Sequence, residues 1–222
     1  MLLLITVSSC HSKKPPLFTK LSPAQTNINF VNHNVDTDTL NILDYLYYYN
    51  GAGVAVGDIN NDGLPDIYFA SNTEGNKLYL NKGNFKFQDI TAAAGVKGDA
   101  GWTTGVSMAD VNGDGYLDIY VCTVAKHTPA SNPHTFFVNS KNQLFINNRD
   151  NTFTESAKQW AADVQGYSTQ AAFFDYDHDG DLDMFLLQHS IHSTDAYGDT
   201  SVHSKFSGVS GVNYYEMRES FH

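Results

Sequence analysis

The stretch Asp110-Val-Asn-Gly-Asp-Gly-Tyr-Leu-Asp118 occurs three times in this sequence. Its other copies are Asp58-Ile-Asn-Asn-Asp-Gly-Leu-Pro-Asp66 and Asp175-Tyr-Asp-His-Asp-Gly-Asp-Leu-Asp183. In every copy an oxygen-bearing side chain stands at positions 1, 3, 5 and 9, and a glycine stands at position 6. Such a loop can point alternate oxygens at one hard cation, with a backbone carbonyl added at position 7 and a sharp turn at the glycine. The repeated stretch therefore predicts three calcium sites.

The predicted ligands occupy positions 1, 3, 5, 7 and 9 of each loop. They are Asp58, Asn60, Asp62, Leu64 and Asp66 in loop 1, Asp110, Asn112, Asp114, Tyr116 and Asp118 in loop 2, and Asp175, Asp177, Asp179, Asp181 and Asp183 in loop 3. An EF-hand begins in the same way but needs a Glu at position 12 and a following helix. Here position 12 is Phe69, Val121 or Leu186, inside apolar runs that are typical of buried strands. We therefore expect each loop to connect two β-strands.

The charge distribution favours metal binding over ordinary polar turns. A single Asx-rich turn is more often a solvated β-turn, whereas three copies with one oxygen spacing favour calcium. The loops hold eleven Asp and no Lys or Arg, and the other 13 acidic residues equal the 13 basic ones. The net charge of −11 thus lies entirely in the loops. Calcium suits this flexible oxygen set better than magnesium, which prefers a tight octahedron.

Composition limits the class of protein. The 222 residues are 41% hydrophobic and 17% charged, as in globular proteins, and the 13 Tyr and 14 Phe favour an all-β fold. The negative charge argues against nucleic-acid binding, which needs a basic face. No stretch of the sequence is long enough to span a membrane.

The N-terminus resembles a bacterial lipoprotein signal. An apolar start is followed by Val7-Ser-Ser-Cys10, so we expect residues 1–9 to be a signal, Cys10 to be lipidated and residues 10–27 to form a tether. A buried N-terminal strand is the alternative. Cys122, the other cysteine, is expected to be a small core residue, although a Cys10–Cys122 disulfide stays open. The expected location is the bacterial cell envelope, lipid-anchored at the outer membrane or cell surface, or secreted.

The surrounding segments repeat together with the loops. A strand rich in small residues precedes each loop, and crowding near a central axis requires small residues. A hairpin follows the first two, at Leu78-Tyr-Leu-Asn81 and Leu144-Phe-Ile-Asn147, with Phe85 and Phe153 in matching places and two extra residues in the second turn. Short helical turns are expected at 91–95 and 156–162. Successive loops begin 52 and 65 residues apart, and the excess lies in a polar insertion at 126–134.

Four strands in each repeat of about 40–50 residues predict β-propeller blades of antiparallel sheet. We place this domain at residues 28–222. Within it the run Leu43-Asp-Tyr-Leu-Tyr-Tyr-Tyr-Asn50 is expected to be a strand covering the core, and a sugar-stacking platform is the alternative.

The units resemble the FG-GAP/VCBS repeats of the integrin-α N-terminal propeller, in which calcium loops of this spacing lie between blade strands. The runs at 50–66 and 173–183 also resemble the bacterial lipoprotein relatives of cartilage acidic protein, large envelope proteins of the ASPIC/UnbV group. This resemblance covers residues 28–195 and implies Ca²⁺ binding and a surface location. Propellers of the family have about seven blades, whereas this chain offers about two and a half to three. We therefore expect a fragment, a truncated product or half of an assembly, since three blades cannot close a propeller.

Two classes of function fit the sequence. One is a calcium-binding, non-enzymatic cell-surface module for binding or adhesion, whose partner is an extracellular protein or polysaccharide and whose membrane contact runs only through lipidated Cys10. The other is a fragment of a propeller enzyme that acts on polysaccharide as a lyase or hydrolase. The first is favoured because the loop Asp residues are explained by calcium and no acid–base set converges elsewhere. His189, His192 and His203 are interpreted as polar surface rather than a metal site.

Overall fold

The computed structural model describes residues 16–38, 41–42, 45, 47–98, 101–124 and 140–188, and the backbone of 212–215. The expected signal and Cys10, the polar insertion at 126–134, and His189, His192 and His203 lie outside these residues. Within the described ranges, no helix is both long enough and apolar enough to cross a membrane.

Two complete blades account for most of the described chain. Blade 1 consists of β1 (Val54–Gly57), β2 (Asp66–Phe69), β3 (Lys77–Asn81) and β4 (Phe87–Asp89). Blade 2 consists of β5 (Trp102–Ala109), β6 (Asp118–Val124), β7 (Gln143–Asn147) and β8 (Phe153–Glu155). In both sheets the strands pair in sequence order and antiparallel, which confirms the expected all-β architecture of four-stranded blades.

The third sheet has three strands among the described residues, so this part of the chain forms between two and three blades. They are β9 (Ser168–Phe174), β10 (Asp183–Gln188) and β11 (Val212–Tyr215), in the order β11-β10-β9. The sequence shows no further Leu-Tyr-Leu-Asn hairpin after Asp183, and it is polar and rich in Gly and Ser from 193 onward. Strand β11 pairs antiparallel with β10, in register from Met184 opposite Tyr215 to Leu187 opposite Val212, and takes the place of β3 and β7. It lacks both the Leu-Tyr-Leu-Asn pattern of β3 and the Leu-Phe-Ile-Asn pattern of β7.

Two short helices lie among the described residues. Helix α1 (Pro23–Thr26) lies in the segment expected to be a tether. Helix α2 (Thr91–Ala94) follows β4 and ends at Gly95, where a left-handed φ of 75° closes the turn, as expected from the sequence. The corresponding segment of blade 2, at 157–161, forms turns.

The first strands of successive blades approach closely, and small residues make this possible. A Cβ placed on Gly105 of β5 would lie 2.1 Å from the carbonyl oxygen of Thr169 in β9, and one on Gly53 would lie 2.9 Å from the Cα of Gly105. Thr104 Oγ1 donates a hydrogen bond of 2.6 Å to Ser168 O across the same gap. Close approach between first strands therefore explains their small residues, and glycine at 105 is required by the contact rather than by its dihedral angle.

Apolar side chains fill the spaces between adjacent blades. Between blades 1 and 2, Leu78 and Tyr68 pack with Val106 and Ile119 in one buried cluster. A second cluster joins blades 2 and 3, and includes buried Cys122, as the sequence predicted. Each blade therefore buries one sheet face against its neighbour, which is how stacked repeats share a core.

Two expectations about local structure are wrong. Residues 47–50 form turns instead of the end of a strand, although buried Tyr48 does cover the core by packing on Trp102 at 5.2 Å between ring centroids. The two hairpin loops are equally long, because Asn81 pairs with Phe87 and Asn147 with Phe153. Phe87 is thus the counterpart of Phe153. Both are buried, whereas Phe85, which the sequence pattern had matched, is exposed.

Candidate metal sites

Each predicted loop joins the first strand of a blade to the second, so all three have the same place in the fold. The position-6 glycines have positive φ angles of 84° at Gly63, 87° at Gly115 and 99° at Gly180. An added Cβ at any of them would contact nothing within 4 Å, so the left-handed backbone alone requires glycine. Position 4 is also left-handed in every loop, which the sequence analysis missed. The residues there are Asn61, Gly113 and His178.

The position-1 carboxylates organise the turn from inside. In loop 1, Asp58 Oδ1 accepts from the amide of Asp62 at 3.1 Å and Asp58 Oδ2 accepts from that of Gly63 at 2.7 Å. Asp110 makes the same two bonds in loop 2, at 2.9 and 2.8 Å. In loop 3 Asp175 Oδ2 accepts from Gly180 at 3.2 Å. Loops 1 and 2 thus share both bonds, and loop 3 shares the bond from position 6 and the left-handed backbone at positions 4 and 6.

Loop 3 brings three carboxylates together. Ligand oxygens of Asp175, Asp177 and Asp183 all lie within 4.8 Å of one another, the one such group in the part of the chain that the structure describes. Asp175 Oδ1 is buried there and has no hydrogen-bond partner among the described residues. Converging carboxylate oxygens with an unsatisfied buried acceptor fit a hard divalent cation, and the donor set contains only oxygen.

The position-5 and position-7 carboxyl groups of loop 3 interact with each other. The hydrogen bond to Asp179 raises the pKa of Asp181, and burial and the charges of Asp179, Asp183 and Asp177 raise it further. The backbone hydrogen bond from Asp181 lowers the pKa of Asp179. The charge of Asp179 therefore opposes ionisation of Asp181, and a bound cation relieves repulsion of this kind.

The position-9 carboxylates connect each loop to its blade. Buried Asp66 accepts from Ile59 N at 3.0 Å and from Asn81 N at 2.7 Å. Buried Asp118 accepts from Val111 N at 3.0 Å and from Asn147 N at 2.8 Å. Burial, with smaller contributions from the charges of the loop, raises the pKa of Asp118 to about 6 despite these two bonds. In loops 1 and 2, position 9 therefore closes the loop onto the third strand of its blade, whereas Asp183 in loop 3 accepts from Tyr176 N at 2.8 Å within its own loop.

Positions 3 and 5 face each other in loops 1 and 2. Asn60 Nδ2 donates to Asp62 Oδ2 at 3.1 Å, and Asn112 Nδ2 donates to Asp114 Oδ2 at 3.2 Å. Position 5 also accepts from the amide at position 7, from Leu64 in loop 1 and Tyr116 in loop 2, both at 2.9 Å. The structure thus gathers the predicted side-chain oxygens of these loops around one turn.

Two asparagines of the site were not identified as site residues from the sequence. Asn81 and Asn147 end the third strands of blades 1 and 2, and each holds its own loop through the amide that binds Asp66 or Asp118. Asn147 also reaches the neighbouring blade, since its Nδ2 donates to Ile59 O at 2.8 Å. Asn61 adds a second connection, from its Nδ2 to Gly115 O at 2.9 Å. The available signal was the Asn at the same place in both hairpin patterns.

Arg149 is the other residue that sequence reasoning missed. Its Nη2 lies 3.1 Å and its Nε 3.2 Å from Asp114 Oδ2, and its guanidinium lies 5.7 Å from the ring centroid of Tyr116. Burial raises the pKa of Asp114, but hydrogen bonds from Tyr116, Arg149 and Asn112 and the charge of Arg149 outweigh it, so the pKa is lowered. Loop 2 therefore carries a cationic side chain of the protein itself.

Comparison with known proteins agrees with this geometry. The family described as FG-GAP-like repeat matches residues 58–121 and 135–186, more than half of the chain and including all three loops. Cartilage acidic protein 1 of Xenopus tropicalis is 32% identical over 139 residues, covering 63% of this chain and 20% of that protein. Cartilage acidic protein 1 of Mus musculus is 40% identical over 72 residues, covering 32% of this chain and 11% of that protein.

The chain thus spans a fifth or less of the length of these relatives. The matched segments contain all three loops, strand β2 that follows the first loop, and the beginnings of β6 and β10 after the second and third. On its repeats, its four-stranded blades and these matches, the chain belongs to the FG-GAP-like repeat family.

Proposed function

We propose that this protein is a calcium-binding, non-enzymatic binding or adhesion module at the cell surface. Each of the three loops would hold one Ca²⁺ through its oxygens at positions 1, 3, 5, 7 and 9. The ion would offset the negative charge that the loops concentrate and would stiffen the connection between the first two strands of each blade.

The observation that carries this proposal is the arrangement in loop 3. Its three carboxylates have oxygens within 4.8 Å of one another, and Asp175 Oδ1 is buried without a partner. Loops 1 and 2 support the proposal through the same turn and the same bonds from position 1. Calcium accepts six to eight oxygen ligands in flexible geometry, which suits short loops that combine carboxylates, amides and backbone carbonyls.

Calorimetric titration of the metal-free protein tests the proposal. We expect about three Ca²⁺ per chain, with dissociation constants of about 10⁻⁴–10⁻³ M, as in extracellular modules. Asp114→Ala should remove one site and leave two. A titration without calcium heat would remove the central claim.

The amides of Gly63, Gly115 and Gly180 would identify the occupied loops by NMR, since each belongs to one loop. The three resonances should shift during the titration, whereas that of Gly95, at the end of helix α2, serves as a reference outside the loops.

Binding of an extracellular protein or polysaccharide through the blade loops is the second part of the proposal. It is supported by the repeat architecture, in which loops project from a rigid sheet scaffold. Glycan and protein arrays probed with and without chelator would test it, with a parallel screen for polysaccharide turnover. Calcium-dependent retention without turnover is expected, and turnover would instead favour a polysaccharide-degrading enzyme.

The proposed anchor is a lipid on Cys10. It is supported by the apolar start and the small residues before this cysteine. Mass spectrometry of the native mature protein should show an acylated Cys10 as the first residue. A native product that keeps residues 1–9 would contradict the anchor and leave the calcium proposal intact.

A further inference from the structure

Arg149 places a positive charge against Asp114, which is a predicted metal ligand of loop 2. Both Nη2 and Nε of Arg149 approach the same oxygen, Asp114 Oδ2, at 3.1 and 3.2 Å. The backbone holds the residue in this place, because the Arg149 amide donates to Asn147 Oδ1 at 2.8 Å and its φ is 66°. The guanidinium also lies over the ring of Tyr116, the position-7 residue. Two different contacts thus keep the cation at the loop.

Loop 1 provides an internal comparison without this cation. The residue equivalent to Arg149 is Gly83, whose amide donates to Asn81 Oδ1 at 2.9 Å and whose φ is 80°. Leu64 stands where loop 2 has Tyr116. The two hairpin loops have the same length, and the same backbone amide donates to the asparagine in both. The hairpin of blade 2 therefore differs from that of blade 1 in carrying an arginine side chain beside the calcium loop.

We propose that Arg149 acts as a built-in competitor for calcium, so that loop 2 binds Ca²⁺ more weakly than loop 1. This inference rests on the proposed calcium function. An ion bound in loop 2 needs an oxygen of Asp114, and it would also be repelled by a guanidinium that contacts the same carboxylate. Binding therefore requires the guanidinium to move away from Asp114.

The structure offers Arg149 a place to move. A cleft of about 370 Å³ lies beside the loop, and Arg149, Gln159 and Trp160 are among the residues that line it. The Arg149 side chain is 56% exposed, whereas that of Asp114 is 14% exposed. An exposed arginine can leave an ion pair at low cost, and an indole face is a suitable alternative contact for it. Release of the guanidinium is thus compatible with the fold.

Calcium titration of the full chain, followed by the NMR shifts of Gly63 and Gly115, tests the inference loop by loop. Arg149→Gly reproduces the residue of loop 1, and Arg149→Gln removes the charge while keeping a side chain. Lys158→Gln, on an exposed turn of the same blade, changes the net charge equally and is the control. Both Arg149 variants should tighten loop 2 by about two- to fivefold, the range that an exposed ion pair supports, and leave loop 1 unchanged.

The melting temperature in chelator separates this role from a structural one. Arg149→Gln should lower it slightly, because an ion pair is lost, while raising the calcium affinity of loop 2. Raised ionic strength should reduce the difference between wild type and variant, since the pair is exposed. If the wild type binds calcium but both variants bind it at loop 2 with unchanged or weaker affinity, this inference is overturned and the proposed function stands. If no loop of any variant binds calcium, the proposed function fails with it.

Discussion

Replacing Asn147 with alanine tests whether one side chain holds two blades together. Its Nδ2 donates to Ile59 O at 2.8 Å and to Leu117 O at 3.0 Å, and its Oδ1 accepts from Arg149 N at 2.8 Å. Ile59 lies in loop 1 and Leu117 in loop 2, so the amide joins adjacent blades. Asn147 is buried, and water cannot replace these bonds without a rearrangement.

The magnitude follows from the number of bonds lost. A net contribution of about 0.5–1.5 kcal/mol for each hydrogen bond predicts a loss of about 2–4 kcal/mol in the free energy of unfolding for Asn147→Ala. Asn81→Ala is the matched control, since Asn81 donates to Pro65 O at 2.8 Å and accepts from Gly83 N at 2.9 Å, both within blade 1. Asn81 is also partly exposed, so we expect a loss of about 1–2 kcal/mol there.

Urea denaturation in the presence of chelator measures both losses without a contribution from metal. Tryptophan fluorescence is a suitable signal, because Trp102 is buried and its ring packs on those of Tyr45 and Tyr48. If Asn147→Ala loses about 1–2 kcal/mol more free energy of unfolding than Asn81→Ala, its melting temperature should be about 2–8 °C lower than that of Asn81→Ala. Equal losses for the two variants would refute the reasoning that Asn147 stabilises the contact between blades.

Three further predictions concern metal, pH and thiol reactivity. At a calcium concentration ten times the dissociation constant, three independent sites add about 4 kcal/mol to the free energy of unfolding. Chelator should therefore lower the melting temperature, calcium should restore it and magnesium should restore it much less. Superimposed melting curves with and without chelator would contradict this. Burial raises the pKa of Asp89, but hydrogen bonds from Thr91 and Lys77 outweigh it and lower the pKa below 3.8. Ionised Asp89 therefore stabilises the folded protein above pH 3.8, and this stabilisation is lost as the pH falls further. The urea midpoint of the wild type should fall between pH 5 and pH 3, and Asp89→Asn should make that fall smaller. Burial raises the pKa of the Cys122 thiol, so iodoacetamide should label it only under unfolding conditions, and rapid labelling of the native protein would be the contrary result.

The parts of the structure that were predictable from sequence are those set by neighbouring residues. The glycine at position 6 needs a left-handed backbone, and the structure has φ values of 84°, 87° and 99° there. The apolar runs that follow each loop became β2, β6 and β10, and the small-residue runs before them contain β1, β5 and β9. Spacing and alternation suffice for such elements because both act within a few residues.

Local sequence patterns gave wrong predictions of structure where contacts between distant residues determine the conformation. Phe85 matches Phe153 in the printed pattern, yet the equal length of the two hairpin loops places Phe87 in the buried position. The tyrosine run resembled a strand, but packing of Tyr48 on Trp102 accompanies a turn. Strand β11 has no pattern of its own and is identified by its pairing with β10. Tertiary contacts override propensity in such segments.

The sequence by itself determined the number of loops, their oxygen positions and the strands around them, because the loop turn closes within nine residues. Tertiary structure alone decided how the loops are connected and which one carries a cation. Asn147 reaches Ile59 across 88 positions of the chain, and Arg149 reaches Asp114 across 35. These contacts depend on the stacking of one blade on the next and on the return of the third strand to its loop. Neither contact can be inferred from the spacing of residues in the sequence.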